Sequence, residues 1–368
     1  MSQPAVRFVG PRRPRVVILG GLRDALGISD DGFRRALAAV ADVEHLDTAR
    51  PIRDGFRLFR NAAGLIRSDA FELVHVLDPR LAPIGALLRR RCGAPATLTL
   101  IPELHHGRSP WAVLMRRSFR AFDEAFVDEH VMTDVAGCRA LGVPLYPMPA
   151  AAGELPFPSP RDVGRVARAL RGPSAGRPIV AVPWLGTGND VRWFRDIVMP
   201  RLRTRPVCVL FGVSSRRELR LMLQASGMEA DVRAVVGPVT ASLIAALGRM
   251  VDAFAVPATS RPAEPGAAEL MRALTVSGVP VVTDATAFDC VPAHETSGLM
   301  IDTGDERGFI AAIDNVLALP AIQRHFMGED IARSALREWP WRPVAEAYAE
   351  RFGALVGRPV VPAALRAA

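Results

Sequence analysis

Residues 264–269 read Glu-Pro-Gly-Ala-Ala-Glu and join a carboxylate to the start of a helix. Pro265 and Gly266 open the segment, Leu270, Ala273, Leu274 and Ser277 fall on one face, and Gly278 closes it. The first N–H groups of a helix have no partner within it, and the helix dipole adds partial positive charge there. Gly266, Ala267 and Ala268 are small enough to let a pyrophosphate reach those amides. The plain alternative is a capped helix start that binds nothing, with Glu264 a solvated loop carboxylate. The sequence contains no lysine, so a cationic clamp on an anion must be a guanidinium. Arg192 and Arg261 are the candidates, each also readable as a surface arginine. His105 and His106 supply groups that in neutral form both donate and accept.

These residues need elements to position them. An apolar run at 252–257 ends in proline and predicts a buried strand, and 279–283 predicts the next. Strand, loop, helix and parallel strand form a βαβ unit whose ligand edge is the loop at the strand's carboxyl end. Upstream, Arg15–Leu19 reads as a strand running into Gly20 and Gly21, a pair that permits a tight turn and close backbone approach to a ligand. The spacing of a dinucleotide fingerprint is missing. Further strands are expected at 73–77, 96–101, 125–132, 143–148, 178–183, 207–212, 232–237 and 299–301, with helices between them. A helix at 110–122 would place Trp111, Leu114, Met115, Ser118, Phe119 and Phe122 on one side, with Arg116, Arg117 and Arg120 on the other. It reads either as a core-facing stripe with a solvated basic face or as a helix lying on anionic lipid.

At 368 residues the chain is too long for one ordinary domain, and 49% hydrophobic with 23% charged residues suits two sizeable cores. The formal charge of +8 is spread over dispersed arginines without a nucleic-acid-binding motif, which argues against nucleic acid as a partner. Cys92, Cys138, Cys208 and Cys290 match no metal spacing and read as reduced thiols. No apolar run approaches the ~20 residues of a membrane-spanning helix, and the start lacks a signal-peptide core. A cytoplasmic protein is expected, with peripheral contact at the inner face of the membrane left open.

The stretch from Glu264 through "ALTVSGVPVVT" and "HETSGLMIDTGDERGFIAAIDNVL" resembles the donor-binding domain of retaining, nucleotide-sugar-dependent GT-B glycosyltransferases (glycosyltransferase group 1, family 4). Gly278, Pro280, Val281, Val282, Gly298, Gly304 and Asp305 match that family's pattern. Its Glu-x7-Glu signature is degenerate: Glu264 stands one residue from the first position, and Ala273 occupies the second. "WLGTGNDVRWF", with Gly186, Gly188 and Asn189, resembles a subfamily version of the first turn of that domain, without its Arg and Lys. "TLTLIPELHH" resembles the acceptor-side strand that ends in Thr-x-His, and "EWPWRPVAEAYAERFGALV" resembles the closing helix.

The resemblance implies an α/β GT-B architecture, with two Rossmann-like, doubly wound parallel-sheet domains facing across a cleft. The boundaries it suggests are an acceptor-side domain at 1–160, a linker at 161–177, a nucleotide-sugar domain at 178–337 and a helix at 338–368 crossing back. It implies transfer of a sugar with retention from a UDP- or GDP-sugar to a glycan or lipid-linked acceptor, in polysaccharide or glycoconjugate assembly, with no permanent cofactor and no metal. Glu264, His105 and His106 would be catalytic. Gly20, Gly21, Gly186, Gly188, Asn189, Arg192, Arg261, Gly266, Ala267, Ala268 and Glu269 would hold the donor. The eroded signature keeps a second function open, that of a binding or scaffolding subunit which has lost turnover.

Overall fold

The structure, a computed structural model, describes residues 13–20, 30–46, 51–68, 71–99, 110–128, 141–149, 151–171, 176–184, 189–213, 217, 231–257, 267–284, 299–302 and 304–360. The chain divides into two compact units, one holding Met1–Arg23, Asp30–Ala150 and Trp341–Ala368, the other chiefly Ala151–Pro340.

The first unit is a parallel sheet of β1 (Arg15–Leu19), β2 (Asp42–Leu46), β3 (Leu73–Val76), β4 (Ala96–Thr99), β5 (Glu124–Asp128) and β6 (Leu145–Met148). Their spatial order is β2-β1-β3-β4-β5-β6. β1 and β3 are near-continuous apolar runs, and with β4 they are almost wholly buried, because both faces are covered. On one face, Val17, Leu19, Val74, Val76, Leu98 and Val127 pack under three helices. These are α2 (Pro51–Arg67), α3 (Ala82–Cys92) and α4 (Pro110–Phe119). The other face receives α11 (Trp341–Val356), whose Tyr348 and Phe352 pack on Phe126 of β5, while α1 (Asp30–Val40) lies against α11.

That second face contains a buried polar cluster. His75 of β3 bonds Thr97 Oγ1 at 2.7 Å through Nδ1 and Thr99 Oγ1 at 3.2 Å through Nε2. The Tyr348 hydroxyl lies 3.3 Å from the same Nε2, and three aromatic rings surround the imidazole. Burial pushes the His75 pKa down to about 3 and raises that of Tyr348. The rim of α11 is fixed by ion pairs, Arg351 to Glu124 and Arg358 to Glu72. Arg351 also stacks over Tyr146 at 4.8 Å.

The second unit repeats the plan with β7 (Ile179–Pro183), β8 (Val207–Val213), β9 (Val232–Val236), β10 (Ala253–Val256), β11 (Val281–Asp284) and β12 (Leu299–Ile301). All pair in parallel, in the order β12-β11-β10-β7-β8-β9. One face carries α5 (Pro160–Ala169), α7 (Ala241–Gly248) and α8 (Ala267–Thr275). The other carries α6 (Asn189–Trp193), extended by a π turn Phe194–Val198 and a 3-10 turn Met199–Arg201, together with α9 (Glu306–Ala318). Met327 of α10 (Ala321–Glu338) packs at the margin of that layer.

Residues 161–177, expected between domains, lie within this unit. Asp162 is buried in α5 and accepts from Ser159, Ser242 and Arg165, which locks α5 to α7. Burial alone would raise its pKa, but those three hydrogen bonds hold it below the usual carboxylate range. Of the thiols, Cys208 is buried, with its pKa pushed up to about 12, and Cys92 is free. Cys138 and Cys290 fall outside the described residues.

The His75 cluster sets an acid dependence. A histidine held neutral when folded binds its proton first in the unfolded chain. Its contribution is therefore complete above pH 6.5 and is lost as pH falls from 6.5 towards 3. We expect unfolding free energy to fall between pH 6.5 and 5 with a slope steeper by up to about 1.4 kcal/mol per pH unit than in His75→Gln. Urea unfolding at several pH values measures it, and parallel slopes would contradict the buried neutral imidazole.

Candidate functional site

A doubly wound sheet leaves a crevice where neighbouring connections leave in opposite directions, outside the carboxyl ends of the strands. The first sheet reverses between β1 and β3, and the second between β7 and β10. The chemistry of each unit is sought at these places.

At the first reversal, β1 ends in Gly20, with φ +84°, and β3 runs on to Asp78. A Cβ at Gly20 would stand 2.5 Å from Asp78 Cβ, so the strand ends approach closely only because 20 is glycine. Its carbonyl oxygen accepts from His45 Nε2 at 2.7 Å. Asp78 accepts from the Arg80 backbone N–H at 3.0 Å and from the Arg80 guanidinium at 2.7–3.1 Å, capping the short helical turn Pro79–Leu81. Sequence reasoning did not single out Asp78 and Arg80; the available signal was the Asp-Pro-Arg that follows an apolar strand.

At the second reversal, β7 continues into Trp184, whose indole Nε1 is buried without a partner among the described residues. The next described element is α6, which Asn189 opens. Arg192 on α6 is exposed and acts on Asp196. The Asp196 carboxyl is held low first by its hydrogen bond from Arg195, with a Coulombic contribution from Arg192. On the other side, β10 leads through residues 258–266 to α8, whose helical backbone starts with Ala267, Ala268 and Glu269. Leu270, Met271, Ala273 and Leu274 bury the helix against the sheet. Ala273, at the position of the second signature glutamate, has no exposed surface.

Of the candidate residues, Gly20, Asn189, Arg192, Ala267, Ala268 and Glu269 therefore stand at, or one element beyond, the two reversals. Gly21, His105, His106, Gly186, Gly188, Arg261, Glu264 and Gly266 lie outside the described residues. Among the described residues no group of His, Cys, Asp and Glu could hold a metal ion, and no helix is long and apolar enough to cross a membrane.

The comparisons with known proteins agree with this geometry. Residues 174–318 match the family described as "Glycosyl transferases group 1". Comparison with curated protein sequences finds no match. Among solved structures, the chain is similar to HepE from Anabaena in complex with UDP and glucose, with a TM-score of 0.59 and 13% identity, covering 93% of this chain and 100% of that one. Sucrose-phosphate synthase from Thermosynechococcus elongatus gives 0.57 at 15% identity, covering 94% and 100%. A trehalose 6-phosphate synthase from Burkholderia multivorans gives 0.53 at 13%, covering 94% and 98%. The fold is that of the GT-B glycosyltransferases, two parallel-sheet α/β units with interleaved helices.

The first reversal yields a direct test. Gly20→Ala places a methyl group against Asp78 on a left-handed backbone, and we expect a loss of about 2–4 kcal/mol of stability. A melting temperature equal to that of the parent would show that the two strand ends are not in contact.

Proposed function

We infer that the protein transfers a sugar from a nucleoside diphosphate sugar to an acceptor hydroxyl, with retention at the anomeric carbon. One observation carries this reading: α8 opens at Ala267 beside the β7/β10 reversal, within the segment that matches the glycosyl transferases group 1 family. In the reaction the anomeric C1–O bond to the diphosphate breaks and C1 bonds the acceptor oxygen, whose proton is released. The leaving diphosphate gains negative charge, which the free N–H groups of Gly266, Ala267 and Ala268 and the helix dipole would stabilise. Arg192 and Arg261 are the guanidinium candidates for the same phosphates, with Gly186, Gly188 and Asn189 as further donor-binding candidates. Gly20 and Gly21 would allow a ligand close backbone approach at the carboxyl edge of the first sheet. Glu264 orients the donor's sugar hydroxyls, and His105 or His106 acts near the transferred sugar. The acceptor is a glycan or a lipid-linked sugar, in polysaccharide or glycoconjugate assembly in the cytoplasm.

A second reading, a sugar-nucleotide-binding subunit without turnover, is favoured by Ala273. The family's second glutamate accepts from the nucleotide ribose, and here that position is a buried methyl group in the core of α8. Glu269, one turn earlier, is not assigned the role.

UDP- and GDP-sugars at saturation should raise the melting temperature by several degrees, because a ligand at 100 times its Kd adds about 2.7 kcal/mol to the native state. Absence of any shift at millimolar nucleotide sugar would count against both readings. Hydrolysis or transfer of the stabilising donor separates an enzyme from a binder. Where turnover is present, Glu264→Ala and His105→Ala should lower it about a hundredfold or more, and Glu269→Ala only a few-fold. Equal losses in all three would overturn these roles.

A further inference from the structure

Helices α2, α3 and α4 follow successive strands of one parallel sheet and cover the same face of it, so they lie side by side and run the same way. Their inward sides bury Leu58, Ala62, Ala86, Leu88, Met115 and Phe119. Their outward sides carry Phe56, 77% exposed, Leu114, 45%, and Leu87, 39%. Leu114 was expected on the buried stripe of its helix. Phe56 and Leu87 are each the sixth residue of their helix and Leu114 the fifth, which places them at similar heights. Packing sets the same register: a Cβ on Gly55 would lie 2.7 Å from Ile84 Cδ1, and Phe56 and Leu87 stand within a turn of those two residues. With neighbouring axes about 8–10 Å apart, the three side chains form a row roughly 20 Å long.

Beyond that row, toward the C-terminal end of each helix, exposed arginines recur: Arg60 on α2, Arg90 and Arg91 on α3, Arg117 on α4. Neither α3 nor α4 contains an acidic residue, and α2 has only Asp54. A row of apolar side chains bordered by guanidinium groups complements an anionic bilayer. The apolar groups enter the acyl boundary while the arginines meet headgroup phosphates. Three separate side chains on a helical layer suit insertion into a fluid better than a shape-matched protein interface, which needs roughly 800 Å² from each partner.

We propose that the outer face of α2, α3 and α4 docks the protein on an anionic lipid bilayer. This holds whether or not the protein transfers sugar. The test is co-sedimentation of the full chain with phosphatidylcholine vesicles, with and without about 30% phosphatidylglycerol, at low and high salt. We expect at least tenfold stronger partitioning onto the anionic vesicles at low salt, falling steeply as salt screens the arginines. Phe56→Ser/Leu87→Ser/Leu114→Ser and Arg90→Glu/Arg91→Glu should each weaken it at least about tenfold, with circular dichroism and melting temperature unchanged. Absence of partitioning, equal partitioning onto neutral vesicles, or a folded variant of either kind that binds like the parent overturns the proposal. Loss in the charge variant with no loss in the apolar one leaves only adsorption of a basic protein and overturns it too.

Discussion

A parallel sheet wound in one direction presents an unbroken carboxyl edge, whereas one wound in both directions must part its loops at one place. Both sheets here are wound both ways, and the parting falls between β1 and β3 and between β7 and β10. The same edge gathers the amino ends of the covering helices, since each helix runs against its strands. Free N–H groups and helix dipoles therefore converge where the loops diverge. In the first unit the parting is narrow, with glycine at 20 admitting Asp78 to within a methyl group's reach. In the second unit it is flanked by Trp184 and α6 on one side and by α8 on the other.

The return of α11 to the first sheet shows how the fold keeps one register. Apolar packing of Tyr348 and Phe352 on Phe126 would tolerate a slide along the helix, but the His75 cluster would not. Each of its groups is buried and directional, so a shifted helix would strand His75 among aromatic rings without its hydroxyl partner on α11. The ion pairs at the rim, Arg351 with Glu124 and Arg358 with Glu72, restrict the same motion from the solvent side. Such charge pairs fix geometry more than they add stability.

Hydrophobic runs carried most of the fold. β1 and β12 fall on the residues that the apolar runs predict, since each is a continuous apolar stretch next to a clear breaker. β2 escaped because Asp42–Leu46 is a partly exposed edge strand with acidic and histidine side chains, which dilutes its pattern. The Pro, Gly, Ser and Arg residues around α5 read as a linker flanking a short helix; α5 is that helix, and its buried Asp162 ties it to α7 in the second unit. The candidate site was legible through loop composition and a resemblance, not through periodicity. Polar residues that work inside the core, such as His75 and Tyr348, leave no mark in the sequence, because only the tertiary fold brings residues 75, 97, 99 and 348 together. Leu114 shows the reverse limit: helical spacing groups it with Met115, Ser118 and Phe119, which are buried, while its own side chain is left outside.

The central claim is that the start of α8, at the β7/β10 parting, holds a diphosphate. A crystal structure with a bound UDP- or GDP-sugar tests it most directly. The account predicts both phosphates within hydrogen-bonding distance of the backbone N–H groups of residues 266–268, with the sugar towards Glu264. A nucleotide lodged elsewhere, or a loop at 258–266 that closes over the helix start and excludes it, would contradict the account.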